Sequence, residues 1–394
     1  MKISGIICEY NPLHNGHAYL LTEAKRRSDA VVCVMSGPFT QRGEVAILDK
    51  FVRARMALVG GADLVLELPP PFCSSSAAYF AEAGVSILSM LGTSTLVFGS
   101  ESGDLARLSA LADRVLSQAF AEQKEAVDLR EGSATAHFAA LLGEGERLQP
   151  NDILAVEYLC ALKRLNTDMT AEPIVRVGDG FGEKALGASP FASATAIRKA
   201  LAEGESVGAY MPDFAFSELV AARERGEAPA TAKNAERAIL GFFRLTAPEA
   251  LSHIAGLGSG LEHRLCAAAL ESRTLDEMTK KCATKRYPDA TIRRAILAAM
   301  LGVTWEDLDR GVTYTTVLGA NGTGRALLAS LRKRNLPILT KPSDTEALCQ
   351  KHPESAEAMR RQAELSARAD ALYSLCLPKT AEAGKYLRTD AVML

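Results

Sequence analysis

The sequence predicts an α/β protein, with a parallel sheet covered by helices in its first half and a mostly helical second half. Three observations carry this. Short apolar runs alternate with helical stretches from residue 3 to residue 202. After that the glycines and prolines fall between helical stretches. The 394 residues, 48% of them hydrophobic, exceed one ordinary core and suit two packed units.

Residues 3–8 form an isoleucine-rich run that ends in Glu9-Tyr10-Asn11-Pro12, as a buried strand entering a turn does. Residues 17–27 then carry Tyr19, Leu20 and Ala24 on an apolar side, with Lys25, Arg26 and Arg27 where cations suit a helix C-terminus. The pattern recurs with strands at 30–35, 64–68, 96–98 and 173–177. Helices are expected at 51–59, 76–90, 151–162 and 194–202. The first unit is placed at 1–204. The second, 205–394, has helices expected at 236–245, 260–270, 290–300 and 354–376. The loop 177–191 is the most glycine-rich stretch, a place where a mobile segment can flank a site.

A formal net charge of −2 excludes a uniformly basic coat, so any nucleic-acid contact must be local. The eight cysteines include no CxxC pair and no histidine at metal-ligand spacing, and read as reduced core thiols. Residues 1–10 hold one lysine and an apolar run broken at Glu9, unlike a signal peptide or a span. The expectation is a soluble, cytoplasmic protein with no membrane contact and no evident protein partner.

The chemistry concentrates at His14-Asn15-Gly16-His17, where the first strand hands over to the first helix. A parallel sheet places its ligand crevice there. Two imidazoles can donate to phosphate oxygens, the helix N-terminus adds backbone N–H groups, and Gly16 removes a side chain from the nucleotide's approach. Alone, the four residues also fit a surface turn, because so short a motif matches by chance in many sequences. A second phosphate-binding candidate is the segment Ser193-Ala194-Thr195-Ala196-Ile197-Arg198, with hydroxyls at a helix start and an arginine in its first turn. Its plainer reading is an N-cap beside a solvated arginine.

Together the two elements resemble the HxGH and SSTxIR signatures of the nucleotidylyltransferase superfamily, in the same order, which implies a Rossmann-like domain. The resemblance narrows with the segment from Glu9 to His17, Gln41-Arg42-Gly43-Glu44, Gly61-Ala62-Asp63-Leu64-Val65-Leu66-Glu67-Leu68-Pro69 and Phe98-Gly99-Ser100-Glu101. It runs on through Pro150-Asn151-Asp152-Ile153-Leu154 and Thr284-Lys285-Arg286-Tyr287 with Arg293-Arg294. These look like the tRNA(Met) cytidine acetate ligase family over most of the chain up to about Lys341. Pro38 and Val45 depart from the asparagine and proline that family shows, which bears on the shape of their loop.

The resemblance implies ATP contacts at Ile7, Cys8, Glu9, Tyr10, Asn11, Pro12, Leu13, His14, Asn15, Gly16, His17, Ala18, Tyr19 and Leu20, then at Gly99, Asn151 and Arg176. Ser193, Thr195 and Arg198 join them. It further implies acetylation of the wobble cytidine of elongator tRNA(Met) from acetate and ATP, through an acetyl-adenylate. Acetate attacks the α-phosphorus and expels pyrophosphate, and His14, His17 and Arg198 are the candidates to stabilise the growing charge. Glu9, Arg42, Glu44 and Asp63 read as caps or loop anchors ahead of direct catalysis. Magnesium is the expected companion of the triphosphate, although no motif shows a site for it.

In the second half Lys280, Lys281, Lys285, Arg286, Arg293 and Arg294 surround Tyr287, and Arg332, Lys333 and Arg334 follow. A basic, partly aromatic surface suits tRNA, although lysine and arginine on helices also make an ordinary solvated face. Two other functions fit the residues: a small-molecule adenylyltransferase, and a non-catalytic tRNA-binding protein on the same fold. Acetate-dependent pyrophosphate release separates the ligase from both, and retention of tRNA separates the first competitor from the second.

Overall fold

A computed structural model describes residues 1–118, 148–177, 186–187, 189–284 and 287–394. The expected alternation is present as β1 (Ile3–Cys8), α1 (Asn15–Arg26), β2 (Ala30–Ser36), α2 (Lys50–Val59), β3 (Leu64–Leu68), α3 (Ala77–Met90) and β4 (Thr95–Ser100). It continues with α4 (Leu105–Val115), α5 (Pro150–Arg164), β5 (Thr170–Val175) and α6 (Ala194–Ala202). Every residue of β1, β2 and β3 is buried, as strands covered on both faces must be, and their sequences are accordingly near-continuous apolar runs. The last strand was expected at 173–177 but starts earlier. It can carry Pro173 because it pairs only with β4, at the sheet edge.

The second half holds α7 (Asp213–Glu224), α8 (Glu236–Leu245), α9 (Leu261–Glu271), α10 (Leu275–Cys282), α11 (Asp289–Leu301) and α12 (Trp305–Asp309). Then come β6 (Thr315–Ala320), α13 (Gly322–Leu331), β7 (Ile338–Leu339), α14 (Thr345–Lys351), α15 (Ala356–Cys376) and β8 (Val392–Met393). The half is mostly helical, as expected. It also returns β6 to the sheet, antiparallel to β3, with β7 and β8 pairing β6.

The strand order is β5-β4-β1-β2-β3-β6-β7, with β1 parallel to both β2 and β4. The chain leaves β1 toward β2 on one side and later fills β4 and β5 on the other. The order therefore reverses at β1 and β4, and a crevice opens beyond their C-terminal ends.

One cluster of buried apolar side chains runs from Ile3 to Val392, so both halves share a core. Across it lies a buried charge cluster. The Lys50 Nζ donates to both oxygens of Glu67 on β3, at 3.0 and 3.2 Å, and to Asp370 Oδ2 on α15 at 3.0 Å. Burial opposes the Lys50 charge, yet Asp370 and Glu67 outweigh it and hold the ammonium well above its ordinary range. Burial pushes the Asp370 carboxyl up to about 6, with Lys50 pulling against it and Glu67 adding to it. All eight cysteines are free and buried. Among the described residues no helix is long and apolar enough to cross a membrane.

Candidate active site

A cavity of about 990 Å³ fills the crevice at the strand-order reversal, within the size range of ligand sites. Ile7 and Cys8 from β1, Gly99 from β4, and Ile174 and Val175 from β5 reach it. So do Glu9, Tyr10, Asn11, His14, Gly16, His17, Tyr19 and Leu20 of the predicted segment, together with Asn151, Arg176 and Ser193. Pro12, Leu13, Asn15 and Ala18 sit on that segment without lining the cavity. Leu13 is wholly buried, and Asn15 donates to the Pro190 and Ala209 carbonyls.

His14 is the N-cap of α1, and its Nδ1 accepts from Gly16 N at 3.1 Å. His17 Nδ1 accepts more weakly from His14 N at 3.4 Å. A neutral imidazole that accepts at Nδ1 carries its proton on Nε2, so the local backbone fixes the tautomer. The rings stack with centroids 3.7 Å apart, and Tyr10 packs edge-on to His17 at 5.1 Å. A Cβ at position 16 would lie 3.0 Å from His14 Cε1. The glycine therefore makes room for the first imidazole, a closer constraint than the open approach expected for nucleotide.

Burial holds the His14 imidazole well below 6.5, with His17, Arg176 and Arg198 adding to the effect. Burial lowers His17 to about 3, helped by Arg176 and opposed by the Pro12 carbonyl. Both are therefore neutral hydrogen-bond donors near pH 7. The unfolded chain protonates His17 near 6.5 while the folded one resists, so its contribution to stability is full above 6.5 and declines as pH falls toward 3. The stability gap between wild type and His17→Ala should accordingly shrink from pH 7 to pH 5 in urea titrations. The subtraction removes the opposing effect of Asp370. An unchanged gap would mean that His17 takes up its proton as readily in the fold as in the unfolded chain.

Opposite the imidazoles, two carboxylates clamp β4 to α5. Glu101 accepts from Asn151 Nδ2 at 2.5 Å and from Asp152 N at 2.9 Å, and so caps α5. Asp152 returns the contact, accepting from Ser100 Oγ, from Glu101 N at 3.0 Å and from Ser102 N at 3.2 Å. Arg176 lies beside this clamp. Burial lowers its guanidinium below the ordinary arginine range, and Glu101 opposes the shift. A Cβ on Gly99 would touch Arg176 Cγ at 3.4 Å.

Arg198 behaves differently from the phosphate ligand expected. Its Nη1 donates to Asn11 O at 2.8 Å and its Nη2 to Glu44 Oε2 at 2.5 Å and Thr195 Oγ1 at 3.4 Å, and it does not line the cavity. Ser193 caps α6 by accepting from Ala196 N at 3.1 Å. The loop holding Glu44 is closed by pairing of Phe39 with Val45 and by Ala46 N donating to Pro38 O at 3.0 Å. Pro38 thus enters through its carbonyl, and the loop needs no N–H from it. Gly43, at φ +70°, lets the loop touch α11, where a Cβ would meet Arg294 N at 2.7 Å.

Sequence reasoning did not single out Arg53 on α2, which is fully buried and braces this loop. It donates to Leu48 O at 3.0 Å, Glu9 O at 2.7 Å, Ser36 O at 3.0 Å and Gly37 O. Asp63 precedes β3, at the other end of the sheet from the cavity, and there accepts from Lys25 at 2.6 Å, Val31 N at 2.8 Å and Asn321 at 3.0 Å.

Arg42 and Arg294 line the cavity, with Arg293 beside them. Arg293 Nε donates to Arg42 O at 3.2 Å, and Arg294 Nη1 to Gln41 O at 3.5 Å. Burial lowers Arg294 to about 10, and the neighbouring Arg293 and Arg42 charges lower it further. Lys281 is elsewhere, paired with Glu271 at 3.0 Å on α9. Lys285 and Arg286 lie outside the described residues, as does much of the glycine-rich loop 177–191. Among the described residues no three metal-ligating side chains cluster.

Residues 1–386 match the model of a family described as HIGH Nucleotidyl Transferase. The tRNA(Met) cytidine acetate ligase of Acetivibrio thermocellus is 32% identical, with both chains covered in full. The enzyme of the same name from Syntrophomonas wolfei is 35% identical over 100% of this chain and 99% of its own. Thermotoga maritima TmcAL superposes in its apo crystal form with a TM-score of 0.90 at 30% identity, each chain fully covered. The same protein bound with alpha-thio ATP superposes at 0.88 with 31% identity and full coverage.

Proposed function

The chain belongs to the HIGH nucleotidyl transferase family, among its tRNA(Met) cytidine acetate ligases, and on that premise we propose how its residues divide the ligase reaction. The enzyme activates acetate with ATP as acetyl-adenylate and transfers the acetyl group to the wobble cytidine of elongator tRNA(Met). The observation that carries the assignment is the pair of neutral imidazoles facing Arg176 across one cavity at the strand-order reversal. Such donors stabilise charge that grows on phosphate oxygens without first having to give up a proton.

In the first step an acetate oxygen attacks the α-phosphorus in line and pyrophosphate leaves. His14 and His17 donate through Nε2 to the phosphates, α1 presents its N-terminus, and Arg176 supplies a full charge. Arg198 holds the loop 37–47 against the exit of β1, and reaches a phosphate only by releasing Glu44. Asn151, fixed by Glu101, contacts the nucleotide from α5. Residues 1–204 thus carry the adenylation chemistry, and 205–394 bring α11 and its arginines to the rim for RNA. When magnesium is present it offsets triphosphate charge, and no protein side chain need coordinate it.

Incubation with ATP, labelled acetate and unmodified elongator tRNA(Met) should place label in acetylcytidine. If label is absent but acetate still drives pyrophosphate exchange, adenylation stands and the RNA target is wrong. Loss of both leaves the small-molecule adenylyltransferase or the binding role. For the rim, Arg294→Ala should weaken tRNA retention on filters alike for all tRNA sequences and reduce the salt dependence by about one unit of slope. Retention and salt dependence equal to wild type in Arg294→Ala would move the RNA path away from α11.

A further inference from the structure

We propose that the Glu9 carboxylate is the base that takes the proton from the attacking amine in the acetyl-transfer step. The inference rests on the acetate-ligase reading above and concerns only its second half.

Glu9 follows β1 directly and lines the cavity. Its Oε1 accepts from Gln41 N at 2.7 Å, while its Oε2 has no partner among the described residues. Gln41 belongs to the arginine rim, where its carbonyl meets Arg294. A nucleobase entering over that rim meets Glu9 on the side of the cavity bounded by the loop. The transfer needs an acceptor there, because the amine must lose a proton as it becomes an amide.

The other lining side chains cannot serve. Both imidazole Nδ1 lone pairs already take backbone N–H groups, so the imidazoles face the cavity as donors. Arg176, Arg42 and Arg294 are donors only. Burial pushes the Tyr10 and Tyr158 phenols and the Cys8 thiol further up from values already above neutrality. Glu9 is the one carboxylate among the described residues that line the cavity. Burial raises its carboxyl above the ordinary range, the Gln41 N–H opposes this, Glu44 adds to it, and Arg198 and Arg53 oppose it. These groups, with Tyr158 from α5, are the charged and titratable neighbours of Glu9. The result is a carboxylate more basic than an exposed one.

The atoms balance without a further reagent. The N4–acyl bond forms, the bond from the acyl carbon to the AMP oxygen breaks, and AMP leaves with that electron pair. One N4 proton passes to Glu9 Oε2 and then to solvent.

Glu9→Gln keeps an oxygen for the Gln41 N–H and removes the base. Single-turnover transfer from preformed acetyl-adenylate to tRNA should fall by about 10²-fold, a loss well beyond whatever the variant takes from acetate-dependent pyrophosphate exchange. The acidic limb of the wild-type transfer profile should vanish in the variant, and Glu9→Asp should restore part of the rate together with the limb. A merely structural role would move neither limb nor rescue. Transfer at the wild-type rate in Glu9→Gln would overturn the proposal and leave the departing phosphate as proton acceptor. Equal loss of exchange and transfer would overturn it too, by placing Glu9 in adenylation or in the fold. Failure of the ligase reading itself shows separately, as absence of exchange in the wild type.

Discussion

His17→Ala is expected to cut acetate-dependent exchange of pyrophosphate into ATP by about 10³-fold, the upper range for removing one preorganised donor from a water-poor site. The size follows from preorganisation. The ring is stacked on His14 at 3.7 Å, edged by Tyr10, and kept neutral by burial and Arg176. It therefore needs no rearrangement when charge builds on the phosphate. His14→Ala is a less clean test because it also removes the N-cap of α1, worth about 1 kcal/mol of stability on its own. Exchange within threefold of wild type in His17→Ala, with melting behaviour retained, would move the phosphates away from the imidazoles.

The largest stability effect is expected at Lys50. Replacement by alanine leaves Glu67 and Asp370 as two buried carboxyls facing each other without their shared cation. Breaking such a buried pair from one side destabilises by about 3–5 kcal/mol. Replacing all three residues together with apolar ones of similar volume should come out near neutral, because the desolvation of all three charges disappears with their attraction. Urea unfolding of the single and triple variants tests both statements. A single variant as stable as the triple would show that the cluster contributes nothing through its charges.

The first half of the fold is legible because its strands are buried on both faces. Residues 3–8, 30–36 and 64–68 are written as near-continuous apolar runs, interrupted only by Ser4, Gly5, Ser36 and Glu67, which a helix of this length would not require. The imidazole pair is legible for a related reason, since a strand-to-helix junction of a parallel sheet is where ligands bind. β6 escaped notice although Thr315–Ala320 is a similar run. Its partner β3 lies some 250 positions earlier, and periodicity records an element's type without recording what it pairs with. Lys50, Arg53 and Asp370 look like ordinary surface charges in the sequence, and only the packing of α2 against β3 and α15 shows them to be buried. The role expected for Arg198 failed to anticipate Glu44 for the same reason. An arginine in a first turn signals an anion, and here the protein supplies one of its own.

The tie between Lys50 and Asp370 spans 320 positions, and the Tyr373 hydroxyl reaches the Ala46 carbonyl across 327, at 2.9 Å. Both contacts brace the loop that carries Glu44 and adjoins Glu9. During synthesis on the ribosome, the residues that read most plainly as an active site emerge first, and the helix that fixes their surroundings emerges among the last. A nascent chain stopped near residue 204 would hold every predicted phosphate ligand while lacking a cation's partner and a loop's anchor. Such a chain must wait for long-range closure, whose entropic cost grows with sequence separation. The surroundings of the site are thus completed only after the last helix of the chain has emerged.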